Sequence, residues 1–167
     1  MPHAGHDGGA RTLKLAVITV SDTRTHETDE SGRLIEDLCR AAGHVIACRV
    51  IVPDEPDRLR RELETILAGG VDAVLVNGGT GISARDRTFD AIVGMLDKRL
   101  DGFGELFRWL SYREIGAAAM LSRAVAGVVS GTPVFSMPGS PAAVRLAMEQ
   151  LILPELVHVV GEASKRT

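Results

Sequence analysis

Three apolar runs, LKLAVITVS (13–21), HVIACRVIVP (44–53) and DAVLVNGG (72–79), each lead into a segment of helical period. No other feature constrains the fold as strongly. A strand that is apolar along its whole length has both faces covered, which is the habit of a parallel sheet. The intervening segments supply the cover. SGRLIEDLCRAAG places Leu34, Ile35, Leu38, Cys39 and Ala42 on one face and can stop at Gly43. DEPDRLRRELETILAGG turns Leu59, Leu63, Ile66 and Leu67 inward. TFDAIVGML (88–96) opens a third helix, with Thr88 expected as its N-cap. The order βαβαβα predicts an α/β fold with a parallel sheet between helical layers.

Such sheets receive ligands at the C-terminal ends of their strands. Three polar stretches fall there: SDT (21–23), PDE (53–55) and GGTG (78–81). Past Gly102 the pattern changes. FGELFRWLSYREIG has Phe103, Leu106, Phe107 and Leu110 at helical spacing, and PVFSM (133–137) reads as a short strand. The turn PGSP (138–141) opens another helix, with Ser140 at the N-cap and Pro141 first, and Pro154 sets off a short final helix.

The 167 residues suit one domain, expected over 13–167, after a polar, Gly-rich leader over 1–12 that reads as disordered. A net charge of −3 gives no overall basic field for nucleic acid or a membrane surface. No apolar run approaches the roughly 20 residues needed to cross a bilayer. Cys39 and Cys48 read as reduced thiols of a cytoplasmic protein. The histidines show no metal-ligand spacing, and no G-x-S-x-G supports a serine hydrolase.

The chemistry centres on VNGGTGISARDRT (76–88). Glycines between a strand and a helix let main-chain N–H groups approach an anion, and the helix adds its positive end. Phosphate is the natural ligand of Gly78, Gly79, Thr80 and Gly81; a tight turn without a ligand is the alternative. No Lys-Ser/Thr pair follows, so this is not a Walker A loop. Gly79, Gly81 and Ala84 form G-x-G-x-x-A, similar to the dinucleotide fingerprint, but that pattern belongs after a first strand. Asp86 beside a phosphate cradle calls for a cation between the two, and Mg²⁺ commonly takes one or two carboxylates plus phosphate oxygens. Asp54 is the candidate second carboxylate. Asp54, Asp86 and Asp22 also read as cap or turn residues, and Arg85 and Arg87 as solvated charges.

In sequence order, VSDTR, DESG, VPDE, GGTG with RDRTFDAI, LSYREIG with AMLSRAVAG, and MPGSPAAV span nearly the whole chain after the leader. Their order and spacing resemble the MoaB/MogA molybdopterin-binding family of molybdenum cofactor biosynthesis, with length and SYREIG closer to the bacterial MoaB branch. The resemblance implies a three-layer α/β/α sandwich with a mostly parallel central sheet. It implies homotrimers or homohexamers, contacts with other enzymes of the pathway, and a pocket for molybdopterin. The reaction of active members is also implied: molybdopterin plus Mg-ATP gives adenylyl-molybdopterin and pyrophosphate. Asp54 and Asp86 would be the catalytic and metal-handling residues. Ser21, Asp22 and the Gly78–Gly81 turn would meet substrate and phosphate. Ser122 and the turn Pro138, Gly139, Ser140 would line the pterin pocket; read alone, they are a helix-terminal hydroxyl and a capped β-turn. Asn77 departs from the Thr or Ser common before the glycines, which alters a contact and not the fold. Two other readings stay open: a non-catalytic molybdopterin-binding scaffold and, remotely, a nicotinamide-dependent dehydrogenase.

Overall fold

The structure, a computed structural model, describes residues 11–165. A six-stranded sheet lies between two helical layers. The first half follows the expected alternation: β1 (Lys14–Val20), α1 (Glu30–Ala41), β2 (Val45–Val52), α2 (Pro56–Ala68), β3 (Ala73–Gly78) and α3 (Thr88–Met95). Then come β4 (Lys98–Arg99), α4 (Asp101–Ile115), a 3₁₀ turn over Gly116–Leu121, β5 (Val125–Val129) and β6 (Thr132–Met137). The chain ends in α5 (Pro141–Ala147), a π turn over Met148–Ile152, and α6 (Leu153–Ala163).

Strand order is β2-β1-β3-β6-β5-β4. β2, β1, β3 and β6 run parallel, while β5 and β4 form an antiparallel margin. The continuous apolar runs are explained by the two cores. Leu15, Val17, Leu75 and Phe135 pack under α1, α4, α5 and α6. Their neighbours Ala16, Ile18, Val76 and Val134 pack under α2 and α3. At roughly 1.5–3 kcal/mol per buried aliphatic side chain, this two-sided burial is what stabilises the central strands.

The margin differs from the sequence expectation. β5 and β4 were not anticipated, because VAGVV offers small residues in place of a bulky run and β4 has only two residues. β4 is defined by pairing alone: Lys98 opposes Val128 and Arg99 opposes Gly127. The final helix expected at Pro154 is α6, but it runs on from α5 without a break in the chain's helical path. Pro154 occupies the first turn of α6, joined to α5 by the π turn, which accommodates the missing proline N–H. No helix among the described residues is long and apolar enough to cross a membrane. The leader expected over 1–12 lies outside the described residues except for Arg11 and Thr12.

Candidate functional site at the switch point

From β1 the chain moves outward to β2, then returns to the other side of β1 as β3, so a crevice opens between the ends of β1 and β3. There Val20 pairs with Gly78. Gly78 and Gly79 have φ of 88° and 67°, left-handed values that side chains disfavour, and a Cβ on Gly78 would meet the Val20 carbonyl at 2.4 Å. The resulting turn leaves the N–H groups of Gly79, Thr80 and Gly81 without a partner among the described residues. Unpaired main-chain donors of this kind can receive an anion.

The PGSP turn closes one side. A Cβ on Gly139 would lie 3.1 Å from Gly78 Cα, so the two glycine turns touch. Ser31 Oγ donates to the Gly139 carbonyl at 2.6 Å. Ser140 Oγ accepts the Ala143 N–H at 3.2 Å, and Pro141 is the first residue of α5, as the sequence predicts. Beneath the glycines Asn77 is buried, donating to Thr19 Oγ1 at 2.9 Å and to the Ile18 carbonyl at 3.3 Å. Thr19 in turn donates to Asp29, which pairs with Arg49 at 3.0 Å.

Acidic residues occupy the other side. Asp22 Oδ1 accepts the Asp54 N–H at 3.0 Å, and Asp22 Oδ2 accepts from the Arg85 guanidinium. The Thr88 hydroxyl donates to Asp54 Oδ1. Asp86 Oδ2 accepts from the Ser83 N–H at 2.8 Å and the Ser83 hydroxyl at 2.5 Å. Those two bonds, assisted by the charges of Arg123 and Arg85, hold the Asp86 carboxyl below the usual carboxylate range. Asp54 and Asp86 thus each keep one carboxylate oxygen outside these bonds.

Local readings of several residues are corrected. Thr88 is not the N-cap of α3: it is the first helical residue, Arg87 holds the cap position without a side-chain bond, and the hydroxyl turns to Asp54. Asp54 does not cap α2, whose N-cap is Glu55. Arg85 is an ion-pair partner as well as a surface charge. Ser21 Oγ accepts the N–H groups of Thr23 and Arg24 at 3.2 and 3.1 Å, shaping the SDT loop. Ser122 closes the 3₁₀ turn, its N–H donating to the Ala119 carbonyl at 3.0 Å. Asp101, which has roughly the spacing of the acidic residue in the dinucleotide pattern, ends no strand in the sequence reading or in the structure: it opens α4.

Three contributors escaped the sequence reading. Ser31 lies within DESG, and Thr88 reads from the sequence as a helix cap. Arg123 follows Ser122 and bonds across to the glycine loop. Only for Arg123 was there a local signal, a lone basic residue between Ser122 and an apolar strand.

Fold and corner together define an α/β protein with a main-chain anion cradle and flanking carboxylates at its switch point. Residues 16–158 match the family described as "Probable molybdopterin binding domain". Molybdenum cofactor biosynthesis protein B of Bacillus subtilis (strain 168) is 56% identical over 158 residues, covering 92% of this chain and 91% of that protein. A crystal structure of a molybdenum cofactor biosynthesis protein B superposes with a TM-score of 0.88 at 49% identity, covering 94% of this chain and 99% of the other. The tungsten cofactor synthesizing protein MoaB from Pyrococcus furiosus gives 0.85 at 38% identity, covering 93% and 99%. The chain belongs to the MoaB/MogA family of molybdenum cofactor biosynthesis proteins.

Proposed function

We propose that this protein binds molybdopterin at the corner of the GGTG and PGSP turns and transfers an adenylyl group to it from Mg-ATP. The observation that carries this reading is the contact of the glycine turn, with its free main-chain donors at Gly79–Gly81, and the Asp22–Asp54–Thr88 cluster: a Cβ on Gly79 would lie 3.2 Å from Thr88 Cβ. The donors suit a phosphate. The carboxylates suit a divalent cation that offsets phosphate charge.

No group of three or more Asp, Glu, His or Cys side chains that could hold a metal occurs among the described residues. The free oxygens of Asp54 and Asp86 would hold Mg²⁺, with nucleotide phosphates and water supplying its other ligands. When bound, the ion neutralises charge on those phosphates. The terminal phosphate of molybdopterin is already anionic and needs no strong base. One of its oxygens forms a bond to the α-phosphorus of ATP, the bond from that phosphorus to the β-bridging oxygen breaks, and pyrophosphate leaves. The chain's part is positioning and charge stabilisation. Thr88 orients Asp54, Ser83 fixes one oxygen of Asp86, and Ser122 and the Pro138–Ser140 turn meet the pterin.

Self-association belongs to the same proposal. Leu106, Trp109, Tyr112, Ile115, Met120 and Leu121 are exposed large hydrophobics clustered on α4 and the following 3₁₀ turn. A patch of that kind supports self-association, which the family resemblance makes a homotrimer or homohexamer. The two free thiols are consistent with a reducing, cytoplasmic setting.

The test is pyrophosphate release by purified protein supplied with molybdopterin and Mg-ATP. Asp54→Ala and Asp86→Ala are each expected to lower the rate by about 100-fold. A wild-type protein that binds molybdopterin and never releases pyrophosphate is a scaffold instead.

A further inference from the structure

Arg123 sits before β5, 43 residues from Thr80 and 37 from Asp86, yet it bonds to both. Its Nε donates to the Thr80 carbonyl at 3.4 Å and its Nη2 to the Asp86 carbonyl at 3.3 Å. Those carbonyls bracket residues 81–85, all of them exposed. The guanidinium is also held by Asp90 at 3.2 Å and lies over the Phe89 ring, 4.4 Å from its centroid.

We infer that Arg123 is a positioning residue that aims the main-chain donors of the glycine loop at a bound phosphate. In a trans peptide the carbonyl and the following N–H point in opposite directions. Drawing the Thr80 carbonyl onto Arg123 turns the Gly81 N–H away from it. Drawing in the Asp86 carbonyl does the same for the Arg87 N–H. Neither N–H has a partner among the described residues. A peptide flanked by glycine rotates easily, and in the reversed orientation it would show a carbonyl oxygen to the anion. The guanidinium therefore decides whether this peptide donates or repels. Its own charge is engaged by Asp90 and its face by Phe89, so it acts through the loop. Lysine cannot replace it, because one point donor does not reproduce a planar fork.

This inference rests on the phosphate cradle proposed above, and calorimetric titration with Mg-ATP separates the two. If wild type takes up no Mg-ATP, both fall. With wild-type binding in hand, Arg123→Lys retains the positive charge and is expected to bind about tenfold more weakly while unfolding at the same temperature. Wild-type affinity in that variant overturns the inference.

Asp90→Asn gives a second, independent reading on an exposed side chain. Removing a negative charge near an anion would tighten binding if charge alone mattered. Loosening the guanidinium weakens it, by about threefold. Unchanged or tighter binding counts against the positioning role. In amide NMR spectra, Mg-ATP is expected to shift the Gly81 and Arg87 N–H resonances in wild type and much less in Arg123→Lys; equal shifts in both proteins also overturn it.

Discussion

Asp22 Oδ1 accepts the main-chain N–H of Asp54 at 3.0 Å, tying the loop after β1 to the loop after β2. The other oxygen of the same carboxylate takes Arg85 from the loop after β3. One side chain thus joins the ends of three parallel strands, where the glycine turn lies.

Replacing Asp22 by Ala frees Arg85 and leaves the Asp54 N–H to water. The expected loss is about 1 kcal/mol of folding stability by urea denaturation. Pyrophosphate release should fall further than that figure alone implies, because the Asp54 main chain loses its tie and only Thr88 still holds the side chain. A variant with unchanged stability and unchanged turnover would show that the link is incidental.

Gly78→Ala places a Cβ 2.4 Å from the Val20 carbonyl at a φ of 88°. Strain and backbone displacement together should cost about 2–4 kcal/mol in chemical unfolding. Gly94 in α3 is the control: an added Cβ there meets nothing within 4 Å. Gly94→Ala should stabilise by about 0.5–1 kcal/mol. Equal effects at the two positions would contradict the geometry of the turn.

Ser83→Ala tests the environment of Asp86, whose folded carboxyl titrates below its usual value chiefly through the Ser83 bonds. With a depressed folded value, the carboxylate's stabilising contribution is present above its unfolded pKa. It is lost as pH falls through the folded one. Removing the hydroxyl moves that loss, and the acidic limb of Mg-ATP binding, toward higher pH. Carboxyl NMR titration of Asp86 in both proteins is the check; coincident curves would refute the assignment.

Asp29 is fully buried against Arg49 at 3.0 Å and also caps α1 through the Gly32 N–H at 2.9 Å. Asp29→Ala breaks a buried ion pair and a cap together, with an expected cost of about 3–5 kcal/mol. Asp29→Asn keeps an acceptor for Gly32 and should recover part of it. A small loss in the Ala variant, seen in thermal or urea unfolding, would mean that Arg49 is satisfied by Glu36 alone.

The first half of the fold was legible because its signals are local. Leu15 to Ile18 are apolar for the sake of two cores, and Leu59, Leu63 and Ile66 repeat at the helical period. The antiparallel margin was not legible. β4 comes into being only where the Asp97 N–H meets the Val128 carbonyl and the Leu100 N–H meets that of Ala126. Thr88 shows the same limit at the site. Capping rules favour it as an N-cap, but a carboxylate 34 residues away competes for its hydroxyl and wins.

Sequence alone determined the alternation of buried strands and amphipathic helices, the glycine turn after the third strand, and the family resemblance. These follow from side-chain period and from backbone freedom, which are properties of neighbours along the chain. Tertiary structure decided which groups meet at the crevice: Asp22 with Asp54 and Arg85, Thr88 with Asp54, and Arg123 with the two loop carbonyls. Those contacts span 34 to 63 residues in all but one case and 32 in that one. Hydrogen bonds depend on distance and angle in space, and the chain acquires those only when its two cores close on the sheet.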